Sequence, residues 1–268
     1  MTSPGISKYT PSMIPTSSSR TSRTSRTWQA RPGVFVALRP FGEDSENVDP
    51  ALLFESEQRR LAEITSERRR REWFAGRLAA HDALAAAGAS PLAVLREPRG
   101  APVLAPPTNA GADPQAEAHA HDFRIAISHG RRLAGAVAGP AHLGCPHLGL
   151  DIIDPEDIDR LARLAKRVFS PLEFELALTL TENPQDVFRV AWGAREAIAK
   201  ATRTGMFAFA LTHVRLSGLS EDDAKVENIP GGAKVFHMRT PDDEVIVIAQ
   251  VSNEAFAWAQ SVMARTAR

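Results

Sequence analysis

Residues 192–200 read WGAREAIAK, which places Trp192, Glu196 and Lys200 at intervals of four. In a helix this spacing brings the three side chains onto one face. A Glu followed four residues later by a Lys is also the common solvent-exposed ion pair of helices, and the two residues alone favour that interpretation. A tryptophan one turn earlier seldom lies on a fully solvated face, however. We therefore expect this face to look into a cleft or an interface between lobes.

An apolar strand with an embedded acid precedes this helix, since residues 148–154 read LGLDIID. An ionised carboxylate inside an apolar strand is costly unless a cation or hydrogen-bond donors compensate it. Asp151 is compatible with a metal at the strand end and equally with backbone amides or an arginine. Together, Asp151, Glu196 and Lys200 could hold a divalent cation beside a phosphate ester.

The composition is that of an ordinary soluble globular protein, with 268 residues, 43% hydrophobic and 24% charged. Lys and Arg total 32, as do Asp and Glu, so the net charge favours neither a nucleic-acid nor a membrane partner. We expect no membrane span, which needs ~20 apolar residues, and no signal peptide. The single cysteine, Cys145, excludes an internal disulfide and suits a reducing compartment. We predict a cytoplasmic protein.

Residues 1–32 are rich in Ser, Thr, Arg and Pro and contain no acid, since the first is Glu43. Organellar transit peptides have such a composition, and so do tails that cannot bury enough apolar surface to fold. The segment lacks an amphipathic helical pattern, and we therefore favour a disordered tail.

The rest of the chain alternates strand and helix patterns in two halves. The first half contains predicted strands at 33–38, 123–128 and 133–138, helices at 52–60 and 66–87, extended pieces within 91–107 and a loop at 105–122. The second contains predicted strands at 148–153, 214–216, 234–238 and 245–251, and helices at 155–168, around Phe174 and Leu176, and from Pro184 to near Gly205. We predict an α+β fold of two pseudo-symmetric lobes, each a small, largely antiparallel sheet packed with helices, with a tail at 1–32, an N-terminal lobe at 33–145 and a C-terminal lobe at 146–268.

Further candidates for phosphate binding are a Ser-His pair and three arginines. Ser128 and His129 end a predicted strand, where adjacent side chains point to opposite faces. They therefore do not form a nucleophile–base pair, but each could bind phosphate oxygens; a packed or surface histidine is the alternative. Arg69 and Arg77 are eight residues apart, so a helix stacks them on nearly one face. With Arg99 they are candidate phosphate clamps, or parts of a solvated basic face.

These stretches together resemble the 4′-phosphopantetheinyl transferases, specifically the larger two-lobed class of the surfactin-synthetase-activating type. Four blocks match in order, namely an Arg-rich helix at 69–80, a basic Gly-x-Pro turn at 99–102, a Ser-His strand end at 127–129, and 149–151 paired with 192–200. The last block is the family's most distinctive signature. The resemblance implies transfer of phosphopantetheine from coenzyme A to a serine of an acyl or peptidyl carrier protein, with release of 3′,5′-ADP.

The resemblance also implies roles for individual residues. Asp151 and Glu196 would hold Mg²⁺ on the pyrophosphate, and Glu196 would accept the proton of the carrier serine, directly or through water. Lys200 would neutralise the transferring phosphate. The phosphates of coenzyme A, the co-substrate, would be bound by Lys200 and by Arg69, Arg77, Arg99, Ser128 and His129. We expect a monomer with coenzyme A between the lobes, its 3′-phosphate towards the N-terminal lobe and the Mg²⁺ site in the C-terminal lobe.

Two positions depart from the family pattern. A second acid usually follows the strand Asp by two residues, and Ile153 occupies that position. Asp154 would point to the opposite face unless the strand ends there, which Pro155 favours. If Asp154 reaches the site it is a third metal ligand; otherwise water or substrate completes the shell. Ala101 stands where some members have Lys, and Arg99 could substitute. The alternative function is a non-catalytic coenzyme A or nucleotide binder that has lost the full metal site.

The predicted helix at 155–168 carries cations that could contact the carrier partner, because carrier proteins are typically acidic helical bundles. Arg163, Lys166 and Arg167 form either this docking face or an ordinary solvated helix face.

Overall fold

A computed structural model of the chain describes residues 25–42, 48–89, 91–97, 100–107, 114–143, 147–179 and 184–266. The elements of the N-terminal lobe are β1 (Arg26–Arg31), β2 (Val34–Pro40), α1 (Glu55–Ala62), α2 (Glu67–Ala86), β3 (Ala93–Arg96), β4 (Pro102–Ala105), α3 (Pro114–His121), β5 (Phe123–His129) and β6 (Leu133–Pro140). The elements of the C-terminal lobe are β7 (His147–Ile153), α4 (Ile158–Val168), α5 (Pro171–Thr179), α6 (Pro184–Thr202), α7 (Leu211–His213), β8 (Arg215–Leu219), β9 (Asp223–Glu227), β10 (Ala233–Arg239), β11 (Val245–Val251) and α8 (Asn253–Thr266).

Each lobe contains an antiparallel sheet with a long helix against it. The strand order is β1-β2-β6-β5 in the first sheet and β7-β11-β10-β9-β8 in the second, and β3 and β4 form a separate hairpin. Helix α2 packs on the first sheet and α6 on the second. The predicted α+β fold of two lobes, each with an antiparallel sheet and helices, is confirmed.

The two sheets pack on each other through the faces that α2 and α6 leave free. Val36 and Val137 of the first sheet lie in one buried cluster with Leu150 and Ile152 of the second. The layers therefore run helix, sheet, sheet, helix. Strand alternation explains the acid in the apolar strand, because Leu150 and Ile152 enter the core between the sheets while Asp151 points to the α6 side.

Helix α6 lies directly against β7 because Gly149 has no side chain. A Cβ atom at Gly149 would be 1.8 Å from the carbonyl oxygen of Ala197. This close approach brings the functional face of the helix over the end of the strand. Glu196 and Lys200 consequently lie beside Asp151.

Strand β1 lies inside the segment 1–32, for which we predicted a disordered tail, and that prediction is wrong for Arg26–Arg31. The strand pairs with β2, with Trp28 opposite Val36, and its apolar residues Trp28 and Ala30 join the core between the sheets. Residues 1–24 lie outside the described part of the chain. The packing of Trp28 and Ala30 against the second sheet depends on the tertiary structure. The Ser/Arg-rich composition of residues 1–32 does not indicate it.

The predicted loop at 105–122 is also partly wrong, because α3 occupies Pro114–His121; residues 108–113 lie outside the described ranges. Proline suits the first turn of a helix and the alanines that follow favour helix formation.

Strand β9 and helix α8 were not predicted. Ser252 marks the start of α8, since its Oγ accepts the Ala255 N–H at 3.1 Å. Among the described residues, no helix is both long and apolar enough to cross a membrane.

Candidate active site

Lys200 connects the two lobes at the end of β7. Its Nζ donates hydrogen bonds to Asp151 Oδ1 at 2.7 Å, to the Leu150 carbonyl at 3.0 Å and to Ser128 Oγ at 2.8 Å. Ser128 in turn donates to Asp151 Oδ1 at 3.0 Å. The structure thus brings together three predicted site residues from β5, β7 and α6, and Asp151 is compensated by a lysine.

Glu196 lies one turn before Lys200 and faces the same space. Burial raises the pKa of its carboxyl, and the charge of Asp151 raises it further, against the opposing effect of Lys200. Two carboxylates therefore share one partly desolvated region, an arrangement that a cation would relieve. Trp192 is 7% exposed, with the Arg160 guanidinium 5.4 Å from its ring centre.

Two cavities meet at this point. The acidic cavity has a volume of about 370 Å³ and is lined by Glu72, Ile127, Ser128, His129, Asp151, Ile152, Ile153, Asp154, Asp157, Arg160, Leu161, Trp192, Glu196 and Lys200. The inter-lobe cavity, of about 560 Å³, lies between β4, β5, α6 and α8. Ile127, Glu196 and Lys200 line both cavities. Trp192, Glu196 and Lys200 all line the acidic cavity, so the helix face looks into a cleft between the lobes, as its spacing predicts.

His129 follows Ser128 and lies on the opposite face of β5, towards α2, as strand alternation predicts. Burial lowers its pKa to about 4, and the cations Lys200, Arg77 and Arg69 contribute to this shift. The imidazole is therefore neutral near pH 7 and can donate one hydrogen bond. Its Nε2 is buried and has no hydrogen-bond partner among the described residues, while Nδ1 is 3.8 Å from Glu72 Oε1.

The three predicted arginine clamps have different surroundings. Arg69 is largely exposed, with Nη1 3.3 Å from Glu72 Oε1. Arg77 is buried, its guanidinium 4.4 Å from the centre of the Trp73 ring, and burial lowers its pKa to about 10. Neither arginine is among the described residues that line the two cavities. The prediction for Arg99 falls outside the described residues.

Strand β7 ends at Ile153, and Asp154 lines the acidic cavity. Asp154 Oδ2 accepts the backbone N–H of Arg131 at 2.8 Å. Burial raises the pKa of Asp154 to about 6, against the lowering effect of that hydrogen bond. Ile153 is buried in the core of the C-terminal lobe. As the side chains lie, no group of three or more Asp, Glu, His or Cys within the described ranges is close enough to hold a metal ion.

A buried ion pair that the sequence patterns did not indicate lies behind the site. Arg195 Nη2 donates to both carboxylate oxygens of Glu173, at 2.7 and 2.8 Å, and both side chains are fully buried. Glu173 also accepts the N–H groups of Ser170 and Leu216, at 2.7 and 3.0 Å. A Ser followed three residues later by a Glu is a capping-box signal and could have indicated the start of α5.

Family models identify the class of protein to which the two lobes and their shared site belong. The model of the 4′-phosphopantetheinyl transferase superfamily matches residues 147–249, and that of the 4′-phosphopantetheinyl transferase N-terminal domain matches residues 57–112. The two matches together cover more than half of the chain. The chain belongs to the 4′-phosphopantetheinyl transferase superfamily, and the match to an N-terminal domain agrees with the larger, two-lobed type.

A curated relative lies in the same class. The chain is 29% identical over 133 residues to the 4′-phosphopantetheinyl transferase HetI of Nostoc sp.. The alignment covers 49% of this chain and 52% of the relative, so the similarity extends over about half the length of each.

Proposed function

We propose that this protein transfers 4′-phosphopantetheine from coenzyme A to a serine of an acyl or peptidyl carrier protein and releases 3′,5′-ADP. The observation that carries the proposal is the junction of the two cavities at Glu196 and Lys200, with Asp151 and Ser128 in direct contact with Lys200. A long anionic donor could lie across both cavities with its pyrophosphate at the junction. The superfamily membership supports the same reaction class.

The donor set suits Mg²⁺ as the cofactor. Asp151 and Glu196 would supply carboxylate oxygens, and the raised pKa of Glu196 reflects a desolvated acid beside another acid. Mg²⁺ is usually bound by one or two carboxylates together with waters and substrate phosphates, so a third protein ligand is not required. Bound there, the ion would neutralise charge on the pyrophosphate.

The remaining chemistry is assigned to the protein's own groups. The carrier serine Oγ forms a bond to the β-phosphorus of coenzyme A while the bond from that phosphorus to the bridging oxygen breaks, leaving 3′,5′-ADP. The serine proton passes to the Glu196 carboxylate, directly or through water. Lys200 stabilises the charge of the transferring phosphoryl group.

Substrate phosphates also need hydrogen-bond donors from the N-terminal lobe. The neutral His129 and the hydroxyl of Ser128 are suitable at the acidic cavity, and the exposed Arg69 could reach a phosphate at its rim. Arg77 would act over a longer distance because its guanidinium packs on Trp73. We therefore propose that the N-terminal lobe, from β1 to β6, receives the 3′-phosphate side and the C-terminal lobe, from β7 to α8, the metal side.

The carrier protein would dock on the C-terminal lobe beside the acidic cavity. Arg163, Lys166 and Arg167 are exposed on α4, and Arg160 of the same helix lines that cavity. Leu178 on α5 is 78% exposed and adds an apolar contact. An acidic helical partner would be complementary to this surface. We propose a cytoplasmic monomer that acts on such a partner.

The test is intact mass spectrometry of apo carrier proteins incubated with this protein, coenzyme A and Mg²⁺. We expect the carrier to gain the mass of one phosphopantetheine with the wild type and not with Glu196→Ala. Glu227→Gln, a change at an exposed glutamate on β9, is the matched control and should retain transfer. Coenzyme A binding without transfer to fatty-acid, polyketide or peptide carriers would instead establish the non-catalytic binder, for which Ile153 is the distinguishing residue.

A further inference from the structure

The carboxylate of Asp154 is engaged with the turn between β5 and β6. Oδ2 accepts the Arg131 N–H at 2.8 Å. Oδ1 lies against Gly130, where a Cβ atom would be 2.6 Å from Oδ1 and 3.0 Å from Oδ2. The Arg131 side chain adds a weaker contact across the lobes, with Nη2 3.8 Å from Asp157 Oδ1. Asp154 therefore joins the C-terminal lobe to the backbone of the N-terminal lobe.

This turn directly follows the two residues that the N-terminal lobe contributes to the site. Ser128 is attached to the C-terminal lobe by its own bonds to Asp151 and Lys200, at 3.0 and 2.8 Å. Asp154 supplies a second attachment three residues further along the chain. Two attachments on either side of His129 limit the rotation of the turn as well as its distance from β7.

We propose that Asp154 is a positioning residue that holds the β5–β6 turn, and with it Ser128 and His129, over Asp151, and that it is not a metal ligand. The proposal rests on the transfer reaction proposed above for its kinetic consequences, but the contact itself is independent of that reaction. Asp151 and Glu196 are then the carboxylates that contact the metal.

The geometry separates this role from that of a ligand. Both oxygens of Asp154 approach the turn backbone, and within the described ranges no three acids converge on one point. The position that would complete an acid pair with Asp151 on the α6 side of β7 is taken by Ile153, which packs in the core of the lobe. Asp154 follows the end of the strand, where the chain turns towards α4.

Two substitutions at Asp154 and one at Gly130 test the proposal. Asp154→Asn keeps an oxygen that can accept the Arg131 N–H but removes the charge, whereas Asp154→Ala removes both. Gly130→Ala removes no carboxylate but inserts a methyl group 2.6 Å from Asp154 Oδ1, so that the carboxylate and the turn must move apart. We expect Asp154→Asn to retain kcat, and Asp154→Ala and Gly130→Ala to lower kcat by about tenfold or more, the usual scale for groups that support a site indirectly.

Two readouts do not depend on turnover. Hydrogen exchange of the peptide covering 128–133 should be faster in Asp154→Ala and Gly130→Ala than in the wild type and Asp154→Asn. Binding of Mn²⁺ in the presence of coenzyme A, followed by electron paramagnetic resonance, should be unchanged in Asp154→Asn and about tenfold or more weaker in Asp151→Asn.

Weakening of Mn²⁺ binding in Asp154→Asn to the extent seen in Asp151→Asn would overturn the proposal and make Asp154 a ligand. Unchanged exchange of the 128–133 peptide in both Asp154→Ala and Gly130→Ala would overturn it as well. If the wild type transfers nothing, the proposed function fails, while the exchange and Mn²⁺ measurements still decide the role of Asp154.

Discussion

A single ammonium group organises the candidate site at the scale of residues. Lys200 Nζ has three protons and donates to three oxygens, one on β5 and two on β7. A substrate phosphate can bind Lys200 only by replacing or sharing one of these bonds. Asp151 and Ser128 also contact each other. Binding of a phosphate to Lys200 would therefore change the hydrogen bonds of all three side chains.

Replacing Lys200 by Met should lower kcat by about 100-fold or more, because a preorganised charge is lost where phosphate charge develops. Steady-state kinetics with a carrier protein measure this effect. Lys225→Met, at an exposed lysine on β9, is the matched control and should have wild-type kcat. Asp151 loses its ion-pair partner in Lys200→Met, which could also destabilise the fold. The melting temperatures of Lys200→Met and Lys225→Met are therefore compared, to separate a loss of stability from a loss of catalysis. A kcat near that of the wild type would exclude Lys200 from catalysis.

The surroundings of His147 lead us to predict that the folding stability depends on pH. Its ring stacks on Phe256 with centroids 3.9 Å apart, and Nε2 is 3.2 Å from Asn253 Oδ1. Burial lowers its pKa below the ordinary value of 6.5 in the folded protein. The unfolded chain therefore takes up a proton first as the pH falls through 6.5, and the folded state loses stability.

The measurement is chemical denaturation of the wild type and His147→Phe at several pH values. The unfolding free energy of the wild type should fall relative to that of His147→Phe as the pH decreases from neutrality to below 6.5. Above that range the difference between the two should be constant. A difference that is independent of pH, or that grows in the opposite direction, would contradict the lowered pKa.

At the scale of elements, α6 is fixed from two sides. Gly149 admits its backbone against β7, and the Arg195–Glu173 pair ties its other side to α5 and β8. Arg195 precedes Glu196 in the chain, so the buried pair and the functional acid lie on different faces of the same helical turn. The pair therefore sets the rotation of the helix that presents Glu196.

Replacing Glu173 by Gln should reduce the free energy of unfolding by about 3–5 kcal/mol, because it leaves the buried Arg195 charge without its partner. Denaturant titration followed by circular dichroism measures the loss. Glu175→Gln, an exposed change on the same helix, is the control and should leave stability nearly unchanged. Equal stability of the two variants would show that the Arg195–Glu173 pair contributes nothing.

Replacing Gly149 by Ala should displace α6 from β7, because the added Cβ would meet the Ala197 carbonyl oxygen at 1.8 Å. We expect a loss of about 1–3 kcal/mol or more in the free energy of unfolding, together with reduced kcat. Gly218→Ala on β8 is the matched control, since its Cβ would have its nearest neighbour at 3.5 Å. A stable Gly149→Ala variant with unchanged kcat would show that the close packing is not needed.

At the scale of the whole molecule, the lobes meet through their sheets, and the cleft follows the rim of that contact. The buried cluster between the sheets holds the lobes together, while exposed ion pairs such as Arg203–Glu97, at 2.8 Å, cross the inter-lobe cavity. Exposed pairs stabilise little, so the apolar contact dominates the association of the lobes. The outer helices remain available for a partner.

Reversing charge on α4, with Arg163→Glu and Arg167→Glu together, should raise KM for an acidic carrier protein by about tenfold while KM for coenzyme A stays unchanged. The effect should diminish as the salt concentration rises. Lys225→Glu with Lys234→Glu, on exposed positions of β9 and β10, is the control of equal charge change. If both double variants raise KM equally, α4 is not a specific docking face.

Local periodicity encodes the elements that can be recognised from the amino-acid sequence alone. The helix face formed by Trp192, Glu196 and Lys200 and the strand that carries Asp151 follow from spacing of four and two residues. These patterns were sufficient to predict the two-lobed α+β fold and to place its signature residues on the correct elements. Strand β1 was missed because its stabilisation comes from the opposite sheet, and α8 because its serine cap was overlooked.

Which side chains meet depends on tertiary packing. Lys200 could have paired with Glu196 one turn away, yet it binds Asp151 and Ser128, which are distant in sequence. The partner of Arg195, and the contact between Asp154 and the β5–β6 turn, likewise depend on how the lobes and helices pack. Periodicity specifies the face on which a residue lies, whereas its partner depends on the packing of sheet against sheet and helix against strand.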